Sequence, residues 1–176
     1  MKAKLFAAIM YSGEEVYKKA IEELVKKFGA IDGESEAFEF NFTDYYAEEM
    51  GDKLFKKFLS FKNLINREEL ADIKLFTNEL EKKLSVEGRR QVNIDPGYVT
   101  ALNLVLATKK ESQHRIYLRS GVFAEVTLAF KKNGCVYFDW TYPDYKTKLA
   151  CEFLLKVRKH LLMLFTELGH AQLRIY

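Results

Sequence analysis

A chain of 176 residues that is 48% hydrophobic and 30% charged has a globular composition and can bury a sizeable core, which excludes a disordered or fibrous protein. Its net charge of +3 gives nucleic acid little to hold electrostatically, and no apolar run approaches the ~20 residues of a membrane-spanning helix. Two cysteines, Cys135 and Cys151, make no disulfide framework; the expectation is free thiols in a reducing cytoplasm.

The first ten residues imitate a signal peptide but lack a cleavage-type sequence and run straight into an amphipathic helix, so 4–11 reads as a buried strand. Ser12 and Glu15 have the spacing of a capping box. Val16, Tyr17, Ala20, Ile21, Leu24, Val25 and Phe28 then keep helical spacing until Gly29. Phe38, Phe40 and Phe42 alternate with polar residues as a half-buried strand. A turn at Met50-Gly51-Asp52 leads to an antiparallel neighbour over 54–62. Asn66 and Glu69 cap a second helix with core positions Leu70, Ile73, Thr77, Leu80 and Leu84; Gly88 ends it, and 89–94 alternates as a fourth strand. The order β-α-β-β-α-β is the split βαβ of ferredoxin-like folds. With no repeat or low-complexity linker, the chain reads as a single α+β domain.

Asp95-Pro96 is a common helix opening, with Asp as N-cap and Pro at N1. It predicts a short helix over 96–107, although Leu102, Leu104 and Leu106 also allow a strand. From His114 the chain reads as an antiparallel meander. A three-residue loop, Arg119-Ser120-Gly121, sets Leu118 opposite Val122 and Arg115 opposite Glu125. Asn133-Gly134 predicts a second hairpin with Phe130 opposite Tyr137 and Thr127 opposite Trp140. A long last helix, roughly 148–168, presents Ala150, Phe153, Leu154, Val157, Leu161, Leu164, Phe165 and Leu168, flanked by Leu155, Leu162 and Met163. That stripe is wide for one sheet face. It is covered either by the tail residues Leu173, Ile175 and Tyr176 or by a second copy, and the expectation is a homodimer with Leu162 and Met163 at the contact.

Four segments rich in Asp, Tyr and Asn point to one polar site: 41–46, 93–98, 114–117 and 140–145, two of which hold the only prolines. By alternation His114, Ile116, Leu118, Val122, Ala124, Val126, Leu128 and Phe130 form the core face. Arg115, Tyr117, Phe123, Glu125, Thr127 and Trp140 form the other face: an aromatic platform with one ion pair, or a surface covered by the last helix. His114 is read either as a satisfied core histidine or as a proton shuttle. Lys74, Asn78 and Glu81 flank the apolar stripe of the second helix, and Lys74 could reach an anion. The N–H groups near Gly97 and Tyr98 would hold an anion if 96–107 is helical. Asp44, Glu48 and Glu49 offer oxygens without metal-site spacing. Eight acids and no Lys or Arg between Phe28 and Asp52 face twelve basic and six acidic residues from Lys109 onward, either as solvated faces or as an acidic lip opposite a basic wall. Phosphate-loop, dinucleotide, zinc and serine-hydrolase motifs are absent.

The segments F-x-F-T-D-Y-Y-x-x-E-M-G, D-I-K-x-x-T-N-x-L-E, R-x-V-N-I-D-P-G-Y, H-R-I-Y-L-x-x-G-V-F-A-E-V-T-L and W-T-Y-P-D-Y resemble the family catalogued as domain of unknown function 4416, in order and over nearly the whole chain. Members are sometimes described as GTP-binding; the missing phosphate loop speaks against that here. The resemblance draws attention to Asp44, Tyr45, Lys74, Asn78, Asn93, Asp95, Tyr98, His114, Arg115, Glu125, Trp140 and Asp144. The resulting expectation is a site for an anionic, partly aromatic small molecule such as a nucleotide. Arg115 and Lys74 neutralise the anion, Trp140 and Tyr117 stack, and Asn78, Tyr98, Asp44, Tyr45 and Asp144 complete the walls. His114, Glu125 or Asp95 would move a proton if the site is catalytic. The identity of any cofactor is left open by the sequence. A single-stranded RNA module and a non-catalytic homodimer are the alternatives.

Overall fold

The computed structural model describes all residues except Asp44, Asp52 and 168–176, and only the backbone of Ala47. The turn at Asp52, Leu168, His170 and the tail residues Leu173, Ile175 and Tyr176 therefore lie wholly or partly outside the described residues. In chain order the elements are β1 (Lys2–Tyr11), α1 (Glu14–Phe28), β2 (Ile31–Glu34), β3 (Phe38–Glu39), α2 (Ala47–Met50), β4 (Phe55–Asn66) and α3 (Leu70–Lys83). They continue with β5 (Val92–Val99), β6 (Asn103–Thr108), β7 (Ile116–Arg119), β8 (Val122–Lys131), β9 (Gly134–Tyr137) and α4 (Lys148–Glu167). The fold is mixed α/β. One sheet runs β2-β4-β1-β5-β6-β8-β7, with β3 beside β4 and β9 beside β8. The pairings are antiparallel.

β1 is buried on both faces, which is why its sequence is a nearly unbroken apolar run. Leu5, Ala7, Ile9 and Tyr11 pack with Tyr17, Ala20 and Leu24 of α1 and Ile73 and Leu80 of α3. Phe6 and Ala8 point the other way, into a core with Phe58, Tyr145 and Ala150, Phe153, Leu154 and Val157 of α4. The sheet is thus sandwiched between α1/α3 and α4. Leu161 is buried, whereas Met163 is 52% exposed.

The two expected capping boxes part company. Asn66 N–H donates to Glu69 Oε2 at 2.8 Å, opening a 3-10 turn that leads into α3. At α1 the N-cap is Gly13, without a side-chain bond. Ser12 is drawn off by the neighbouring loop, donating from Oγ to the Gln91 carbonyl at 3.2 Å. The strand expected at 38–42 ends at Glu39, because Phe40 turns into a local core of Met10, Met50 and Leu54. β2 has no counterpart in the sequence reading.

The helix expected over 96–107 is absent: β5 runs through Pro96, and β6 returns beside it. Ile94 directs its N–H and C=O away from β1, towards α3, and alternation turns Pro96 the same way. On that side the β5–β6 ladder reaches only from Val99 to Gly97, so the missing proline N–H falls where pairing has already ended. Gly97 permits the last close contact, since a Cβ there would lie 2.4 Å from the Val105 carbonyl oxygen. Asp95 caps nothing, and the first-turn N–H anion site near Gly97 and Tyr98 does not exist. Thr100 closes the hairpin by accepting from the N–H groups of Leu102 and Asn103 at 3.0 Å.

In the meander, Ser120-Gly121 is a two-residue turn with both φ positive and Arg119 opposite Val122. Leu118 is an extra residue, and its bulge restores the expected register at Tyr117↔Phe123 and Ile116↔Ala124. Ile116 and Leu118 are exposed, contrary to the core assignment, because β7 is the last strand of the sheet. A second bulge sits at Thr127, between the pairs Val105↔Val126 and Leu104↔Leu128. It splits the expected single core face: Val122, Ala124 and Val126 pack with Leu70 and Ala71, whereas Leu128 and Phe130 join the α4 core. At β9 the turn is Lys132-Asn133, so Phe130 faces Cys135 and Leu128 faces Tyr137. This two-residue shift leaves the faces unchanged.

The free-thiol expectation is also corrected. Cys135 and Cys151 are disulfide-bonded, tying β9 to α4 across a sequence separation of 16. Closing a loop of that length should stabilise the fold by about 3 kcal/mol. Cys135→Ser and wild type in reductant should therefore show the same loss in urea denaturation, while oxidised wild type stands apart from both.

Candidate functional site

A cavity of about 540 Å³ opens where β5 and β6 part company, a size suited to a small organic molecule. Its deep wall is the free edge of β5. Ile94, unpaired by β6, is satisfied by side chains of α3: Lys74 Nζ donates to its carbonyl at 2.9 Å, and its N–H donates to Glu81 Oε1 at 2.6 Å. Lys74, Thr77 and Glu81 are buried on the sheet-facing side of α3. A buried peptide edge requires partners, and these two side chains stand in for a strand.

Charged pairs from distant segments build the remaining walls. Lys56 of β4, buried among the rings of Phe40, Phe58 and Tyr145, donates to Asp144 at 2.7 Å, with both side chains under 8% exposed. Arg90 grips Glu49 through Nε at 2.8 Å and NH2 at 2.5 Å, and reaches Asn93 Oδ1 at 3.0 Å. That fork holds the Glu49 carboxyl below its usual range and raises the guanidinium further. Asn93 donates to Asp95 at 2.9 Å, and Lys74 lies 3.4 Å from the other Asp95 oxygen. Glu125, buried on β8, receives Arg115 Nε at 2.8 Å, faces His114 Nε2 at 3.0 Å and takes the Thr127 hydroxyl at 3.3 Å. Arg115 NH2 in turn donates to the Tyr142 hydroxyl at 2.8 Å.

Two groups are singular. Tyr145 lines the cavity, is 1% exposed, and its hydroxyl has no hydrogen-bond partner among the described residues. Burial keeps that phenol protonated far beyond neutrality. Glu81 is 6% exposed, and burial pushes its carboxyl up to about 7 against the opposing pull of Lys74. At the rim, Lys110 Nζ sits 4.0 Å from the centre of the Tyr45 ring and draws that phenol's pKa down. Lys109 Nζ donates to the Ser120 carbonyl. Among the described residues the rim lysines meet the Ser120 carbonyl and the Tyr45 ring, not a carboxylate.

Of the residues singled out in the sequence, Lys74, Asn78, Glu81, Asn93, Asp95, Glu125, Asp144 and Tyr45 line the cavity. Arg115 and His114 stand behind Glu125. Trp140 lies outside the cavity lining, stacked at 4.9 Å on both His114 and Phe138, and its indole N–H donates to the Val126 carbonyl. Tyr117 packs edge-on to Phe123 on the exposed strand, and Tyr98 is half-buried near Arg67; neither reaches the cavity. Asp44 is outside the described residues. Lys56, Arg90, Tyr46, Tyr142, Tyr145, Lys109 and Lys110 line it without having been assigned a role. A lysine in the buried alternation Lys56-x-Phe58-x-Ser60 was a readable signal for one of them. No three His, Cys, Asp or Glu side chains among the described residues are grouped to hold a metal. No helix among them is long and apolar enough to cross a membrane.

The family model described as Domain of unknown function (DUF4416) matches residues 1–161. No curated protein and no solved structure matches the chain.

Two stability outcomes follow from these environments. Lys56→Met strands the Asp144 carboxylate in the core and should cost about 3–5 kcal/mol, whereas Lys56→Met with Asp144→Leu should cost distinctly less. Urea denaturation of the three chains is the measurement, and additive losses would contradict it. Glu81 binds its proton more tightly folded than unfolded, so its contribution is full below about 4.5 and lost as pH rises to about 7. Relative to Glu81→Gln, wild type should lose up to about 1.4 kcal/mol per pH unit across that window and none above it.

Proposed function

The chain belongs to the DUF4416 family, which is defined without a function, and we propose that it binds an anionic, partly aromatic small molecule, such as a nucleotide, in the cavity between β5 and β6. The observation that carries this reading is a cavity walled by rings whose rim holds two lysines that meet no carboxylate among the described residues. Phe40, Tyr46 and Tyr142 offer faces for a planar group. The exposed rim lysines Lys109 and Lys110 meet no carboxylate among the described residues and suit a phosphate or carboxylate. Lys74 spends two of its three N–H groups on Ile94 and Asp95, leaving one.

In this reading the ligand lies with its ring inward and its anion at the rim, and the roles first given to Trp140 and Tyr117 pass to Tyr46 and Tyr142. Arg115 and Glu125 then form a wall that orients Tyr142. The same reading takes β1 to β5 as a ferredoxin-like unit, supported by the neighbours β4-β1-β5 and by the positions of α1 and α3.

Isothermal calorimetry with adenosine monophosphate and an aromatic carboxylate, with native mass spectrometry of the purified protein, tests the reading. Binding should weaken about tenfold or more in Lys109→Ala/Lys110→Ala, the loss of roughly one charged contact. No binding at millimolar concentration together with no retained metabolite would overturn it.

A further inference from the structure

Four acids in or beside the cavity are in direct contact with a cation: Glu49 with Arg90, Asp95 with Lys74, Glu125 with Arg115 and Asp144 with Lys56. Glu81 is different. Its nearest guanidinium nitrogen, Arg90 NH1, is 3.9 Å away, beyond hydrogen-bond distance, and that group already donates to Glu49 and Asn93. Lys74, two turns earlier on α3, directs its bonds to Ile94 and Asp95 rather than to Glu81. From β5, Asp95 adds a second negative charge. Across the cavity, the Lys56–Asp144 and Arg115–Glu125 pairs are internally neutral. One Glu81 oxygen is fixed by the Ile94 N–H; the other makes no hydrogen bond among the described residues.

We propose that Glu81 is the proton-exchanging group of this site, taking up one proton from solvent when an anionic ligand binds and returning it on release. The inference rests on the reading that the cavity holds an anion. The proton goes onto the free Oε2, while Oε1 continues to accept from Ile94; no other bond is made or broken. A neutral carboxyl removes the repulsion between Glu81 and the ligand and supplies a donor facing the cavity. Burial has already brought the group to about 7, so even an anion held across the cavity at the rim needs to shift it little to change its charge near neutrality. Glu49 is held ionised by the Arg90 fork, and Asp95, Glu125 and Asp144 are each already engaged by a cation.

The test uses 1-anilinonaphthalene-8-sulfonate, whose sulfonate keeps its charge through this range and whose rings report on transfer from water. The Glu81 carboxyl carbon is followed by NMR on the wild-type chain, assigned through its own backbone. Its midpoint should lie near 7 in the free protein and rise when the dye is bound. The dissociation constant of the dye should grow about tenfold per pH unit above that midpoint, until the midpoint of the complex is reached. In Glu81→Gln it should stay flat, near the wild-type value at low pH. A Glu81 midpoint in the ordinary carboxylate range, or one the bound dye leaves unmoved, overturns the inference and leaves the cavity reading standing. A dye that binds wild type and Glu81→Gln with the same pH profile does so too. A dye that binds at no pH overturns both. The carboxyl titration needs no variant, so it decides the matter even if Glu81→Gln fails to fold.

Discussion

The peptide edge at Ile94 is the constraint on which the cavity depends. β5 pairs with β1 along its whole length but with β6 over only three residues, and between Ile94 and Pro96 its outer edge faces no strand. Proline needs no partner there, but Ile94 does. Its N–H and carbonyl lie in the interior, where unpaired backbone groups are costly. α3 meets both with a lysine and a glutamate seven residues apart on one helical face. The structural solution thereby places a buried ammonium and a buried carboxyl on the wall of the opening. A cavity made by parting two strands must be closed by polar groups, and here those groups are titratable.

The rest of the site follows from neutralising charges that the core cannot solvate. Lys56 and Asp144 are 88 residues apart and Arg90 and Glu49 are 41 apart, yet each pair is a contact between elements that border the opening. Such pairs add little net stability over an apolar alternative but penalise any packing that separates them. They hold the 45–50 segment and the Pro143–Lys146 turn against the strand ends. The same neutralisation leaves Lys109 and Lys110 as the lining cations without a carboxylate among the described residues. In the acidic early segment Asp32, Glu34 and Glu49 pair with Lys4, Lys57 and Arg90, which all precede the basic later half.

The sequence alone determined those features whose cause is local. β1, α1, α3 and α4 were legible because apolar periodicity over a dozen residues reports which face is buried. The Asn66–Glu69 cap was legible because all its partners lie within four residues. Of the site, Lys74, Asn78, Tyr45, Asp95, Glu125 and Asp144 could be singled out as polar residues in unusual company, and the Arg115–Glu125 contact followed from strand alternation. Only the tertiary structure decided the rest. Asp95-Pro96 has the local signature of a helix start, and that preference lost to two neighbouring strands that bury Val99, Leu104 and Leu106. Alternation assigned β8 to one core face, but the bulge at Thr127, set by pairing with β6, turned its second half over. Ser12 had a capping partner in sequence and a better one in space. The partners of Lys56 and Arg90, the bond between Cys135 and Cys151, and the Tyr145 hydroxyl that finds no partner among the described residues depend on distances between segments well separated along the chain. A linear pattern records which side chains are available and which face they share; which of them meet, and which is left without a partner, is fixed only when strands and helices from the whole chain close on one another.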